Sequence, residues 1–170
     1  MVNQLLDGQW LRSDGTTFDY TNWYTTEPNN NGGPENCLEI NWATEKCHFG
    51  WTPFGKKCYK FFPSQVDWIT AEKSCQRLNS NLASVQSQVE NEFLLDLVPV
   101  SARCWVGGHD GVKDGKWLWS DGTTFDYTNW CSAEPSGNTE NCLEINWTTK
   151  RCWNDENFST SMGYICAKGM

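Results

Sequence analysis

Five oxygen-bearing side chains gather in the stretch from Gly115 to Asp155: Glu134 and Ser136 around Pro135, then Glu140, then the adjacent Asn154 and Asp155. Calcium takes roughly six to eight oxygens at about 2.3–2.6 Å and accepts carboxylates, amide carbonyls and hydroxyls in an irregular cage. Soft-metal ligands are absent from the set. The residue types therefore point to calcium, against the plainer alternative of a solvated acidic loop. Asp110 and Asp114, with Glu140 and Asn141, offer a possible second calcium site, although each Asp precedes a glycine and suits a turn equally well. Paired carboxylates also imitate a glycosidase. Here they have calcium-type neighbours and no sign of a deep cleft, so no enzyme is expected. His48 and His109 lack a matching partner set and read as surface or turn histidines.

Order and spacing add to composition. The tripeptide Glu134-Pro135-Ser136 is followed by Glu140 next but one to Cys142, and then by Trp153, Asn154 and Asp155. In that order the run resembles the long-loop region of a C-type lectin-like domain. The resemblance implies an α+β fold: two helices, small antiparallel sheets and a long loop region, stapled by disulfides. It implies that Glu134, Ser136, Glu140, Asn154 and Asp155 hold a calcium ion, which takes two vicinal hydroxyls of a sugar, and that the same five residues bind the carbohydrate. A Glu-Pro start matches mannose-type members, which usually have Asn in the third place. Ser136 supplies an oxygen but no amide donor, so calcium binding is expected to survive and sugar affinity to fall. The Glu134–Pro135 bond is expected to be cis, as in the family, X-Pro being where cis costs little.

The implied partners are glycans, including those of microbial surfaces in innate immune recognition. The alternative implied by the same resemblance is ice binding, as in type II antifreeze proteins. Thr123, Thr124, Thr128 and Thr139 are available for it.

These residues need a scaffold. In DWITAEKSCQRLN, Trp68, Ala71, Cys75 and Leu78 recur at helical steps behind Asp67 as N-cap. LASV reads as a short strand. Ser87 and Glu90 form a capping box ahead of Val89, Phe93, Leu94 and Leu97, giving a second helix ending near Pro99. CWVGG at 104–108 resembles the family's central Trp-Ile-Gly strand, with Val106 for Ile, and its glycines admit close backbone approach. Asp-Gly turns at 114–115 and 121–122 lead into the long loop, followed by strands at CLEINW, around RCW, and at GYICAK. Of the 11 Trp, Trp51, Trp68, Trp105, Trp117, Trp119 and Trp147 are expected in the core.

The resemblance pairs Cys75 with Cys166, a bridge worth roughly 4–5 kcal/mol on the entropic model. It also pairs Cys47 with Cys58 and Cys131 with Cys152. The family's partner for Cys142 would lie a few residues past Asp155, where Phe158 stands. Nine cysteines cannot all pair within the chain. Cys104 with Cys142 is the expected remaining bridge, which leaves Cys37 for a bond between chains and a homodimer.

Gly8–Cys47 and Gly115–Cys152 are one segment written twice, with SDGTTFDYTNW and ENCLEINW unchanged. The first copy carries Glu27, Asn29 and Glu35 but lacks a Trp-Asn-Asp counterpart, so its half-site is expected to be silent. The expected organisation is residues 1–46 as a partial repeat and 47–170 as the complete domain.

A net charge of −8 and a pI near 4.7 argue against nucleic-acid and anionic-membrane partners, whose phosphates require Lys and Arg. No apolar run approaches the roughly 20 residues that span a bilayer. Nine cysteines and sequons at Asn146 and Asn157 point to glycosylation in an oxidising, secreted setting. MVNQLLDGQWLR lacks the apolar core of a signal peptide, so that setting requires a leader from elsewhere.

Overall fold

The computed structural model describes residues 47–137 and 139–170, and two short strands before them. The chain divides into two compact units, Met1–Glu45 and Lys46–Met170. In the first, β1 (Val2–Gln4) pairs antiparallel with β2 (Trp10–Arg12), with Val2 opposite Arg12. The expectations for Glu27, Asn29, Glu35 and Cys37 lie outside the described residues.

The second unit begins with β3 (Thr52–Phe54), β4 (Lys57–Val66), α1 (Trp68–Gln76), β5 (Asn81–Leu82) and α2 (Gln88–Leu97). It continues with β6 (Cys104–His109), β7 (Leu118–Trp119), β8 (Cys142–Trp147), β9 (Cys152–Glu156) and β10 (Met162–Gly169). The sheet runs β3-β4-β10-β6-β8-β9, with β5 alongside β10 and β7 alongside β6. Only the β10–β6 pairing in it is parallel. The fold is thus the expected α+β arrangement, and the last strand lies near its middle. Among the described residues no helix is long and apolar enough to cross a membrane.

Local signals explain both helix starts. Asp67 accepts from the Thr70 amide at 2.7 Å, and Ser87 from the Glu90 amide at 3.2 Å. Glu90 returns the favour one residue early, accepting from the Gln86 amide at 2.7 Å. Its carboxylate also takes the Tyr59 hydroxyl, and that contact turns the residue inward. The buried face of α2 is Glu90, Asn91, Leu94 and Leu95, while Val89 is 62% exposed, against the expected apolar face. Polar side chains displace Val89 because aromatic donors in the core need acceptors. Leu78 is likewise exposed, since α1 stops at Gln76. The expected LASV strand is shorter and earlier, as β5, although the Ala83 amide still donates to the Ile165 carbonyl at 2.8 Å.

Trp105, Trp119 and Trp153 are buried, whereas Trp51, Trp68, Trp117 and Trp147 are only partly so. The Gly107–Gly108 pair is obligatory. A Cβ at Gly107 would lie 2.8 Å from the Leu82 carbonyl oxygen, and one at Gly108 2.8 Å from the Leu143 Cβ. His109 is no surface turn residue: it ends β6, half-buried, with its ring 5.4 Å from that of Trp68.

Three bridges form as the resemblance implied: Cys47–Cys58, Cys75–Cys166 and Cys131–Cys152. The expected Cys104–Cys142 bridge does not, and both thiols are free and buried. Register is the reason. Cys104 stands opposite Ile145 and Cys142 opposite His109, so the two are offset by several residues along the β6–β8 ladder. That is roughly 10 Å or more, beyond the reach of a disulfide.

Asn91 illustrates the polar core. It accepts the Trp153 indole N–H at 2.7 Å inside the fold. Asn91→Leu should strand that donor and cost about 1–3 kcal/mol, read as a lower denaturant midpoint with an unchanged slope. An unaltered midpoint would show the bond to be dispensable.

Candidate functional site

The long loop is fastened to β9 at one residue. The Trp153 amide donates to the Asn129 carbonyl at 2.8 Å, and the Trp153 carbonyl accepts from the Cys131 amide at 2.9 Å. Its indole lies among Trp119, Phe125, Tyr127 and Trp130, with centroids 5.6–6.2 Å away. The Cys131–Cys152 bridge closes the same junction covalently. Glu134 then donates its amide to the Cys131 carbonyl at 3.1 Å, and the Glu134–Pro135 bond is cis.

This anchoring brings Glu134, Ser136 and Asp155 together. The Ser136 amide donates to both oxygens of Asp155, at 2.9 and 3.1 Å. Asp155 is buried, and burial pushes its carboxyl up to about 6; the facing Glu134 carboxylate pushes the same way, while the Ser136 amide opposes. Glu134 Oε2 is buried with no hydrogen-bond partner. Ser136 Oγ donates to Glu140 Oε2 at 3.4 Å, which brings Glu140 to the edge of the group. Asn154, the neighbour of Asp155 on β9, donates its Nδ2 to Glu144 Oε1 at 2.8 Å.

Among the described residues no three acidic, histidine or cysteine side chains converge as a metal cluster. The donor set nonetheless fits a hard cation. Two carboxylates face each other without a counter-charge, and one buried oxygen lacks any partner. All the donors are oxygens, as calcium requires.

The second group behaves differently. Asp110 accepts from Asn141 Nδ2 at 2.9 Å and from the Gly115 amide at 2.8 Å, which pins the turn after β6. Asp110 is buried, and Asp114 is exposed. The two sequons also diverge. Asn146 is 4% exposed, its Nδ2 donating to the carbonyls of Pro99, Val100 and Ala102 at 2.7–3.1 Å and its Oδ1 accepting from Arg151. Asn157 is half-buried at the edge of the long loop, donating to the Thr139 carbonyl at 3.1 Å.

Arg103, Glu144 and Glu156 were missed from sequence. Arg103 donates to Glu144 at 2.6 Å through both Nε and Nη2, and to Glu156 at 2.6 Å. Burial pushes the Glu144 carboxyl up, and the Arg103 guanidinium pulls it back. The partners lie 41 and 53 residues apart, so no local motif could reveal them.

A disulfide-stapled α+β scaffold that holds an acidic, oxygen-rich loop against one strand defines a class of loop-presenting binding domains. The chain belongs to the C-type lectin domain family, whose model, "Lectin C-type domain", matches residues 64–168. It is 43% identical over 122 residues to ladderlectin of Oncorhynchus mykiss, covering 68% of this chain and 64% of that protein, under two thirds of its length. To the galactose-specific lectin nattectin of Thalassophryne nattereri it is 36% identical over 134 residues, covering 75% and 84%. The herring type II antifreeze protein structure superposes with a TM-score of 0.71 at 36% identity, covering 73% of this chain and 99% of that one.

Two outcomes follow from the geometry. The folded chain binds the Asp155 proton more tightly than the unfolded chain, whose carboxyl titrates near the ordinary aspartate value of 3.8. Stability in chelator should therefore fall as pH rises through the window from there to about 6. Thermal midpoints at about pH 5 and about pH 7.5 should differ more in the wild type than in Asp155→Asn, and equal shifts would show that the carboxylates are not opposed. In protein from secretory cells, glycopeptide mapping should find Asn146 bare, because a glycan there would break its buried bonds; a folded form glycosylated at Asn146 contradicts the placement.

Proposed function

We propose that this chain is a calcium-dependent carbohydrate-binding protein that recognises mannose-type or related vicinal-hydroxyl sugars. The observation that carries this reading is the uncompensated pair of Glu134 and Asp155, fastened through the Ser136 amide. Glu134, Ser136, Glu140, Asn154 and Asp155 are the proposed ligands of the ion and contacts of the sugar. When bound, calcium supplies a Lewis-acidic centre for two sugar hydroxyls. The chain's part is to present acceptors beside them: Glu134 and Glu140 accept hydrogen bonds from the hydroxyls, and Ser136 Oγ can donate or accept.

Family membership and relatives named as lectins support the carbohydrate reading. Nattectin is named as galactose-specific, whereas the Glu-Pro start here favours mannose-type sugars. Affinity at one site is expected to be weak, so avidity needs several sites. A Cys37-linked homodimer is the proposed source. The proposed setting is extracellular, with microbial glycans as partners in innate immune recognition.

Likeness to the herring antifreeze protein favours ice binding as the second reading. Thr123, Thr124, Thr128 and Thr139 are exposed. However, Thr123 donates to Asp121 at 2.6 Å and Thr124 to Asp126 at 2.8 Å, which commits two of the four hydroxyls.

Mannose-agarose decides between them. Retention in millimolar calcium and release by chelator is the expected result, with retention abolished by Glu134→Ala or Asp155→Ala. Flow-through in calcium defeats the mannose reading, and thermal hysteresis of the same sample then tests ice binding.

A further inference from the structure

The Arg103–Glu144 ion pair lies outside the proposed donor set yet touches it through one atom. Arg103 precedes β6 and forks onto both oxygens of Glu144, each at 2.6 Å, while its guanidinium lies 4.7 Å above the Trp147 ring. Glu144 is wholly buried, and its Oε1 also accepts from Asn154 Nδ2 at 2.8 Å. The register makes this contact unavoidable, because Glu144 and Asn154 are direct partners across β8 and β9.

A carboxylate clamped by guanidinium offers only acceptors, so the Asn154 amide must turn its NH2 end toward Glu144. Its oxygen is left as the end free to meet a cation. Resting on the calcium reading above, we infer that Arg103 and Glu144 are positioning residues for that reading: the fork holds Glu144, Glu144 orients the Asn154 amide, and the orientation selects Oδ1 as ligand. Stability alone is a weak reason to bury such a pair, since a well-packed apolar replacement is often as stable. Outer partners that orient ligands are, by contrast, worth about 10–100-fold in metal affinity.

Glu156 provides the control. It shares Arg103, at 2.6 Å, and accepts no hydrogen bond from the Asn154 amide. Calcium titration calorimetry on the full chain compares the wild type with Glu144→Gln and Glu156→Gln, with chelator melts confirming that each is folded. Gln at 144 presents an NH2 as well as an oxygen and no longer dictates the amide orientation. The expected result is about 10–100-fold weaker calcium binding in Glu144→Gln and nearly wild-type binding in Glu156→Gln. Equal losses in both variants, or none in Glu144→Gln, overturn the inference while leaving the calcium reading standing. A wild type that binds no calcium overturns the calcium reading.

A second measurement needs no variant. The Asn154 side-chain amide protons of the wild type in chelator should exchange slowly with water, as hydrogen-bonded and buried donors do. Fast exchange would overturn the orientation itself, whether or not calcium binds or Glu144→Gln folds.

Discussion

Burial of Trp153 is the constraint on which the rest of the domain depends. The indole is wholly inaccessible, and four loop and strand aromatics contact it. A group of that size contributes a large apolar payload but carries one N–H that must be satisfied. Asn91 of α2 satisfies it, so the helix, β9 and the long loop are joined at one side chain. Because both backbone groups of Trp153 bond to the loop, the position of Asp155 two residues later follows from that packing. The loop has little regular structure of its own, and its shape comes from the strand beside it.

The second constraint is electrostatic and runs along the other side of β9. Asn154 and Glu156 belong to Arg103 and Glu144, whereas Trp153 and Asp155 belong to the long loop. Strand alternation produces that division. One strand thereby carries two environments: an ion pair that engages the NH2 end of the Asn154 amide, and two opposed carboxylates beside the long loop. A protein that only needed stability would not leave Glu134 Oε2 buried and unpartnered. The uncompensated carboxylates beside a compensated ion pair support reading this end of β9 as a binding site.

Much of this was legible in the chain because it is local. Asp67 and Ser87 announce their helices within three residues, and CLEINW maps onto β8 without adjustment. The Glu-Pro-Ser tripeptide and the Trp-Asn-Asp run could be placed by order alone. What escaped depends on register and on polar burial. Hydrophobic periodicity put Val89 inside and gave no reason to expect Glu90 and Asn91 there, since their partners, Tyr59 and Trp153, are distant in sequence. The Cys104–Cys142 pairing came from elimination, and elimination contains no distances; the β6–β8 ladder does.

Net charge is unevenly distributed along the chain. The chain carries −8 overall, but residues 1–45 hold seven acidic side chains against a single basic one, so six of those charges belong to the first unit. The lectin-type unit is close to neutral, and bulk acidity cannot be what draws a cation to it. Exposed charges are screened beyond about 8–10 Å at ordinary ionic strength. On the proposed calcium reading, attraction arises within the loop, from Glu134 and Asp155 facing each other in a partly desolvated setting. Affinity then depends on holding two like charges together, and that cost is borne by the Trp153 packing and the Cys131–Cys152 bridge rather than by the composition of the chain.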